Sequence, residues 1–178
     1  MIAARTVGVA LVVLLSTACG GNELGVGDRP TEARAEDGRF ISWVEHRIDD
    51  SALAGLPLRG ADGLEIGDLD GDGFDDLVVV HEDSDHVRLS FGTGDPDRWT
   101  SVTLAAGALV AEVEDPVLAD FDDDGDLDLV VACEDAHLAY FENPGGAAAR
   151  VAEAWQSMIP TATRGRGSWI RVHAANLD

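Results

Sequence analysis

Aspartate recurs at a fixed spacing in two places. Positions 68–76 read Asp-Leu-Asp-Gly-Asp-Gly-Phe-Asp-Asp, and positions 120–128 read Asp-Phe-Asp-Asp-Asp-Gly-Asp-Leu-Asp. In both, Asp falls at loop positions 1, 3, 5 and 9, Gly at position 6, and an aliphatic run comes directly after. Carboxylates at alternate positions of a tight glycine turn can converge on one hard cation, and all-oxygen donor sets of this kind suit Ca2+. Four carboxylates this close otherwise repel one another, so the charge calls for a counter-ion. Gly73 and Gly125 at position 6 allow a backbone reversal that a side chain would hinder. A third copy begins at 175–178, Ala-Asn-Leu-Asp, with only Asn176 and Asp178 in place, too few to bind as it stands.

The residues on the C-terminal side of each loop exclude two look-alikes. An EF-hand begins in the same way but needs a bidentate Glu at position 12 and flanking helices. Position 12 is Val79 in one loop and Val131 in the other. The run around each is branched and apolar, which favours a buried strand, and the missing helix excludes dockerin-type loops as well. A bare Asp-Gly hairpin turn needs one Asp, not four at alternate positions.

The elements that must carry these loops repeat too. Trp43, Trp99 and Trp155 lie 56 residues apart, and Asp68, Asp120 and Asn176 come after them at 25, 21 and 21 residues. One short insertion is therefore expected in the first unit, within 49–63. Each unit has the same order of parts: a Trp-led segment (43–48, 99–104, 155–159), a segment entering the loop (63–66, 116–119, 169–172), the loop, then 77–80 or 129–132, then an alternating segment, 87–91 or 138–141. Short segments rich in Val, Leu and aromatics, bounded by turns, predict a four-stranded sheet per unit. A period near 50 residues with four strands is the arithmetic of a propeller blade.

The Asp-x-Asp-x-Asp-Gly-x-x-Asp loops, the Trp-led strand and Ala-Tyr-Phe-Glu-Asn-Pro-Gly at 139–145 resemble FG-GAP/VCBS repeats, the blades of the integrin alpha-chain propeller and of many secreted bacterial proteins. The resemblance covers about residues 40–178. It implies an all-β fold of propeller blades with four antiparallel strands, about two and a half of them, with blade 1 at 40–96, blade 2 at 97–146 and a partial blade 3 at 147–178. It also implies that the loop joins neighbouring strands and binds calcium. The ligands it implies are Asp68, Asp70, Asp72 and Asp76, then Asp120, Asp122, Asp124 and Asp128, with backbone carbonyls from Phe74 and Asp126 at position 7.

No catalytic constellation stands out. His46, His81, His86, His137 and His173 are scattered, with no His-x-x-x-His and no Gly-x-Ser-x-Gly. His81 and Cys133 each stand five residues after the last Asp of a loop, which reads as an equivalent blade position. Cys133 is expected to be a small buried hydrophobe. Glu82-Asp83 and Glu134-Asp135 match in the same way and read as solvated turns. Paired carboxylates can serve acid–base work on glycans, but calcium ligation already accounts for them. Arg164-Gly165-Arg166 is too small a cluster for phosphate binding.

Composition narrows the partners. With 12 Lys plus Arg against 34 Asp plus Glu, the formal charge is −22, which argues against nucleic acid. A disordered acidic tail would lack the aliphatic runs after each loop. Residues 1–18 read as a signal peptide: Arg5, an apolar run over 6–15, and Ser16-Thr17-Ala18 before Cys19. Cys19 resembles the lipidated Cys of bacterial lipoproteins, although Ser16 stands where those usually have Leu; cleavage after Ala18 without lipidation also fits. Residues 19–39 read as a flexible tether, and 40–178 as the repeats.

Two and a half blades cannot close a ring of four to eight, so the chain is expected to be part of a longer protein. The expected function is a non-catalytic binding, adhesion or scaffold module of the cell envelope, with an unknown protein or glycan ligand and membrane contact only through Cys19. The alternative is the accessory propeller of a polysaccharide-acting enzyme whose catalytic part lies elsewhere.

Overall fold

The computed structural model describes residues 29–43, 45–134 and 137–176. The expected signal peptide, Cys19 and most of the tether lie outside the described residues, as do Asp135 and residues 177–178 of the third loop. Contacts divide the chain into two units, Met1–Glu45 and His46–Asp178. In the first, strand β1 (Arg29–Arg34) pairs antiparallel with β2 (Phe40–Trp43). Part of the expected tether is thus a strand. An Asp-Gly turn reverses the chain between the two strands: Gly38 has φ +80°, and the Arg39 amide donates to Asp37 Oδ1 at 3.0 Å.

The second unit holds two four-stranded antiparallel sheets. The first runs in the order β3 (Ala61–Gly67), β4 (Asp76–His81), β5 (His86–Phe91), β6 (Thr100–Ala106). The second is built from β7 (Val113–Ala119), β8 (Asp128–Cys133), β9 (His137–Glu142) and β10 (Gln156–Met158), again paired in chain order. The all-β class and the four-stranded antiparallel unit are as the sequence predicts, consistent with blades of an incomplete propeller.

The grouping of strands differs from the expected 40–96 and 97–146. Each Trp-led strand closes the sheet of the preceding loop instead of opening the next one. β6 pairs with β5 through Phe91↔Thr100, and β10 pairs with β9 through Glu142↔Gln156. The physical reason is chain economy: residues 92–99 make a short hairpin connection, so the next strand falls beside β5. The expected strand at 43–48 is not formed; β2 ends at Trp43 and residues 45–50 are irregular. The insertion at 49–63 is a short helix, α1 (Ser51–Ala54), whose N-cap Asp50 accepts from the Ala52 and Leu53 amides and whose C-cap Gly55 has φ +68°.

The core lies between the sheets. Val78, Val80, Val87, Leu89 and Phe91 of the first meet Leu129, Val131, Cys133, Ala139 and Phe141 of the second. These residues alternate along their strands, so one face of each sheet is apolar. Cys133 is fully buried, as expected of a small hydrophobe. The first strands of the two sheets, β3 and β7, approach closely at Gly63, where a Cβ would lie 2.3 Å from Pro116 Cδ. On the opposite face of the first sheet, Arg88 donates to Asp49 Oδ2 and Thr103 Oγ1, both at 2.7 Å, and Leu64 and Ile66 are exposed.

No strand forms over 169–172, the segment expected to enter the third loop. The Trp169 amide reaches Cys133 O at 3.4 Å and the Val172 amide reaches Asp115 Oδ2 at 3.0 Å. Two isolated bonds are not a ladder. Among the described residues, no helix is long and apolar enough to cross a membrane.

Candidate metal centres

Both Asp loops sit at the same corner of their sheets, joining the first strand, at one edge of the sheet, to the next one (β3 to β4, β7 to β8). Their internal hydrogen bonds correspond one for one. In loop 1, Asp68 accepts the Asp72 amide on Oδ1 at 3.1 Å and the Gly73 amide on Oδ2 at 2.9 Å. In loop 2, Asp120 accepts the Asp124 and Gly125 amides at 3.1 and 3.0 Å. Asp70 and Asp122 each accept the amide two residues on at 3.2 Å, and Asp72 and Asp124 do so at 2.9 Å. Two loops with different neighbours thus fold to one hydrogen-bond pattern, which the shared Asp and Gly spacing dictates.

Position 9 is the buried anchor. Asp76 is fully buried and accepts the Leu69 amide at 2.9 Å and the Gly92 amide at 2.8 Å. Asp128 accepts the Phe121 amide at 3.1 Å, the Asn143 amide at 2.8 Å and the Tyr140 hydroxyl at 3.0 Å. Burial pushes the Asp76 carboxyl up, against the pull of the two amides, and the charges of Asp70 and Asp72 add to the rise. Partial desolvation and the Asp124 charge push Asp122 up. Burial and the Asp128 bond push the Tyr140 hydroxyl up.

The structure brings together Asp68, Asp70 and Asp76, which offer carboxylate oxygens within 4.8 Å of one another, and likewise Asp120, Asp122 and Asp128. Asp72 and Asp124, the position 5 acids, stand outside these triads. Phe74 and Asp126 at position 7 give their amides to the loop; their side chains lie against Gly94 and Gly145, where a Cβ would meet them at 2.5 and 2.2 Å. A hard, all-carboxylate donor set fits calcium and not a soft or imidazole-preferring metal.

Three features escaped the sequence. Asn143, fully enclosed, donates its side-chain amide to Leu69 O at 2.9 Å in loop 1 and to Leu127 O at 3.0 Å in loop 2. Arg150 pairs with Asp70 and, at 2.9 Å, with Asp72. Glu82, Glu114 and Glu134 gather carboxylate oxygens within 4.8 Å of one another at the far ends of the strands, so Glu82 and Glu134 are not simply solvated turn residues. Burial and the neighbouring acids push both Glu82 and Glu114 up. Asn-Pro-Gly at 143–145 is a visible turn signal, but nothing in it foretells contact with a loop 74 residues earlier.

Two four-stranded sheets, each carrying an Asp loop at one corner and packed face to face, define a repeat protein of blade type. Residues 68–131 match the FG-GAP-like repeat. This span is about a third of the chain and runs from the first position of loop 1 into β8, past loop 2. It supports the FG-GAP family for that stretch. No curated protein and no solved structure matches the chain.

Proposed function

We propose that this chain is the calcium-stabilised, propeller-type binding region of an exported protein held at the cell envelope. The observation that carries the reading is the pair of Asp loops with one hydrogen-bond pattern, each converging carboxylates at the corner of a sheet. An ion there would tie the two strands that the loop joins and cancel part of the −22 charge. Affinity on the order of 10⁻⁴–10⁻³ M, typical of extracellular modules, would suffice where calcium is millimolar.

The module is read as non-catalytic, serving adhesion or scaffolding toward a protein or glycan. A cleft of about 420 Å3 beside loop 1 supports this: it is walled by Phe74 and Trp99 and edged by Asp75 and Asp95. Aromatic faces flanked by acceptors suit a sugar ring or an extended peptide. Export and the anchor rest on residues 1–19 of the sequence.

Calcium titration of the chain by calorimetry, with melting in calcium and in chelator, tests the reading. We expect saturation at about two ions per chain and a melting temperature raised by calcium. No heat and no shift would overturn it.

A further inference from the structure

The two loops share a hydrogen-bond pattern but not their electrostatic surroundings. All twelve basic residues of the chain are arginine, and one of them, Arg150, is committed to loop 1. Its Nε bonds Asp70 Oδ2 and its Nη2 bonds Asp72 Oδ2 at 2.9 Å. These are the oxygens of Asp70 and Asp72 that the loop amides leave over, because those amides take Oδ1 in both residues. Asp70 is almost completely buried, with a side chain only 3% exposed, so its charge needs a partner. Among the described residues, no ion pair reaches Asp120, Asp122 or Asp124 of loop 2.

Arg150 is held for this task from three sides. It ends a 3-10 turn, Gly146–Arg150, whose Ala149 is buried in the core. The Trp155 indole N–H fixes that turn by donating to Ala149 O at 2.8 Å. The guanidinium also lies over the buried ring of Phe91, 5.0 Å from its centroid. Its side chain is 31% exposed, so the contact is neither a fully solvated surface pair nor one that is sealed in. A planar guanidinium bridging two carboxylates is a strong, oriented arrangement.

We propose that Arg150 is a built-in cation of loop 1 that sets its affinity for divalent ions below that of loop 2. The inference rests on the calcium reading of both loops. A fixed positive charge on two of the ligand carboxylates repels an incoming divalent ion and competes with it for their charge, whichever of their oxygens the ion takes. Loop 2 has the same donors and no such charge, so it fills first as calcium rises. The two sites therefore respond to different calcium concentrations although their sequences share one pattern.

The test is calcium binding by calorimetry on chains in which one loop is silenced. Asp122→Asn with Asp124→Asn reports loop 1, and Asp70→Asn with Asp72→Asn reports loop 2. With Arg150 in place, loop 1 should bind about tenfold more weakly than loop 2; equal affinities, or a tighter loop 1, would overturn the proposal. Adding Arg150→Gln to the loop 1 reporter should tighten binding about tenfold, whereas Arg150→Lys, which keeps the charge, should leave it within about twofold. Unchanged or weakened binding in Arg150→Gln would make Arg150 a positioning residue of the loaded loop and sink the proposal. Should Arg150→Gln fail to fold, the comparison of the two reporters still decides. Absence of calcium binding in the unaltered chain would be a different failure, that of the calcium reading itself.

Discussion

At position 9 and position 1 of each loop, the same residue type has two separable duties. Asp76 is buried and satisfies two backbone amides, so it belongs to the fold whether or not an ion is bound. Asp76→Ala strands the Leu69 and Gly92 amides and should cost about 2–4 kcal/mol even in chelator, with a further loss in calcium because the same carboxylate belongs to the triad, read by denaturant unfolding. Asp68 is only part-buried, and its acceptor role survives in part in Asn. Asp68→Asn should leave the chelator melting temperature nearly unchanged and remove most of the calcium-dependent rise. Both duties are legible at this scale, because alternate Asp around a Gly is a local code that needs no knowledge of the fold. Arg150 is not. It stands 80 residues from Asp70, in an alanine-rich stretch whose pattern gives no sign of a loop partner, and only the packing of one sheet on the other brings it there. Asn143 is hidden for the same reason.

Strands can be read one by one, but not their company. Alternation and β-branching mark a segment as a strand without saying which neighbour it pairs with. The Trp-led segments are therefore recognisable, yet the sequence places them on the wrong side of the unit boundary. The short connection at 92–99 settles the pairing of β6 with β5. Contact between sheets depends on residue size as much as on pattern. At Gly63 an added Cβ would fall 2.3 Å from Pro116 Cδ and 2.8 Å from Glu114 O, with backbone on one side and a rigid ring on the other. Gly63→Ala should therefore push β3 away from β7 and cost about 1–3 kcal/mol, measured as a loss in denaturant midpoint at constant slope. The Gly is visible in the sequence as part of a strand entry, but its partner in the next sheet is not.

Across the whole molecule the acidic excess works against folding where carboxylates crowd together with little counter-charge. Glu82, Glu114 and Glu134 come from both sheets and converge, with Asp62 and Asp115 adding charge around Glu114 and Arg171 the counter-charge at 3.9 Å. Burial first, and then these acids, raise the Glu114 carboxyl above its ordinary 4.5. A carboxyl raised by folding penalises the folded state when ionised; the penalty is fully present above the raised value and fades as pH falls through it toward 4.5. Glu114→Gln should then raise the melting temperature in chelator by a few degrees at pH 7–8, with the gain gone near pH 4.5. A gain that persisted in acid would mean that packing, not charge, was responsible.

Asn143 gives the pair of sheets a property that neither has alone. Its backbone amide holds Asp128, and its side chain holds a carbonyl in each loop. A blade that began to fray at loop 1 would uncover the same amide group that loop 2 leans on. Sequence period and melting unit are therefore expected to differ: the chain is written in single blades, and the two sheets should lose their structure in one transition, whether it is followed at loop 1 or at loop 2.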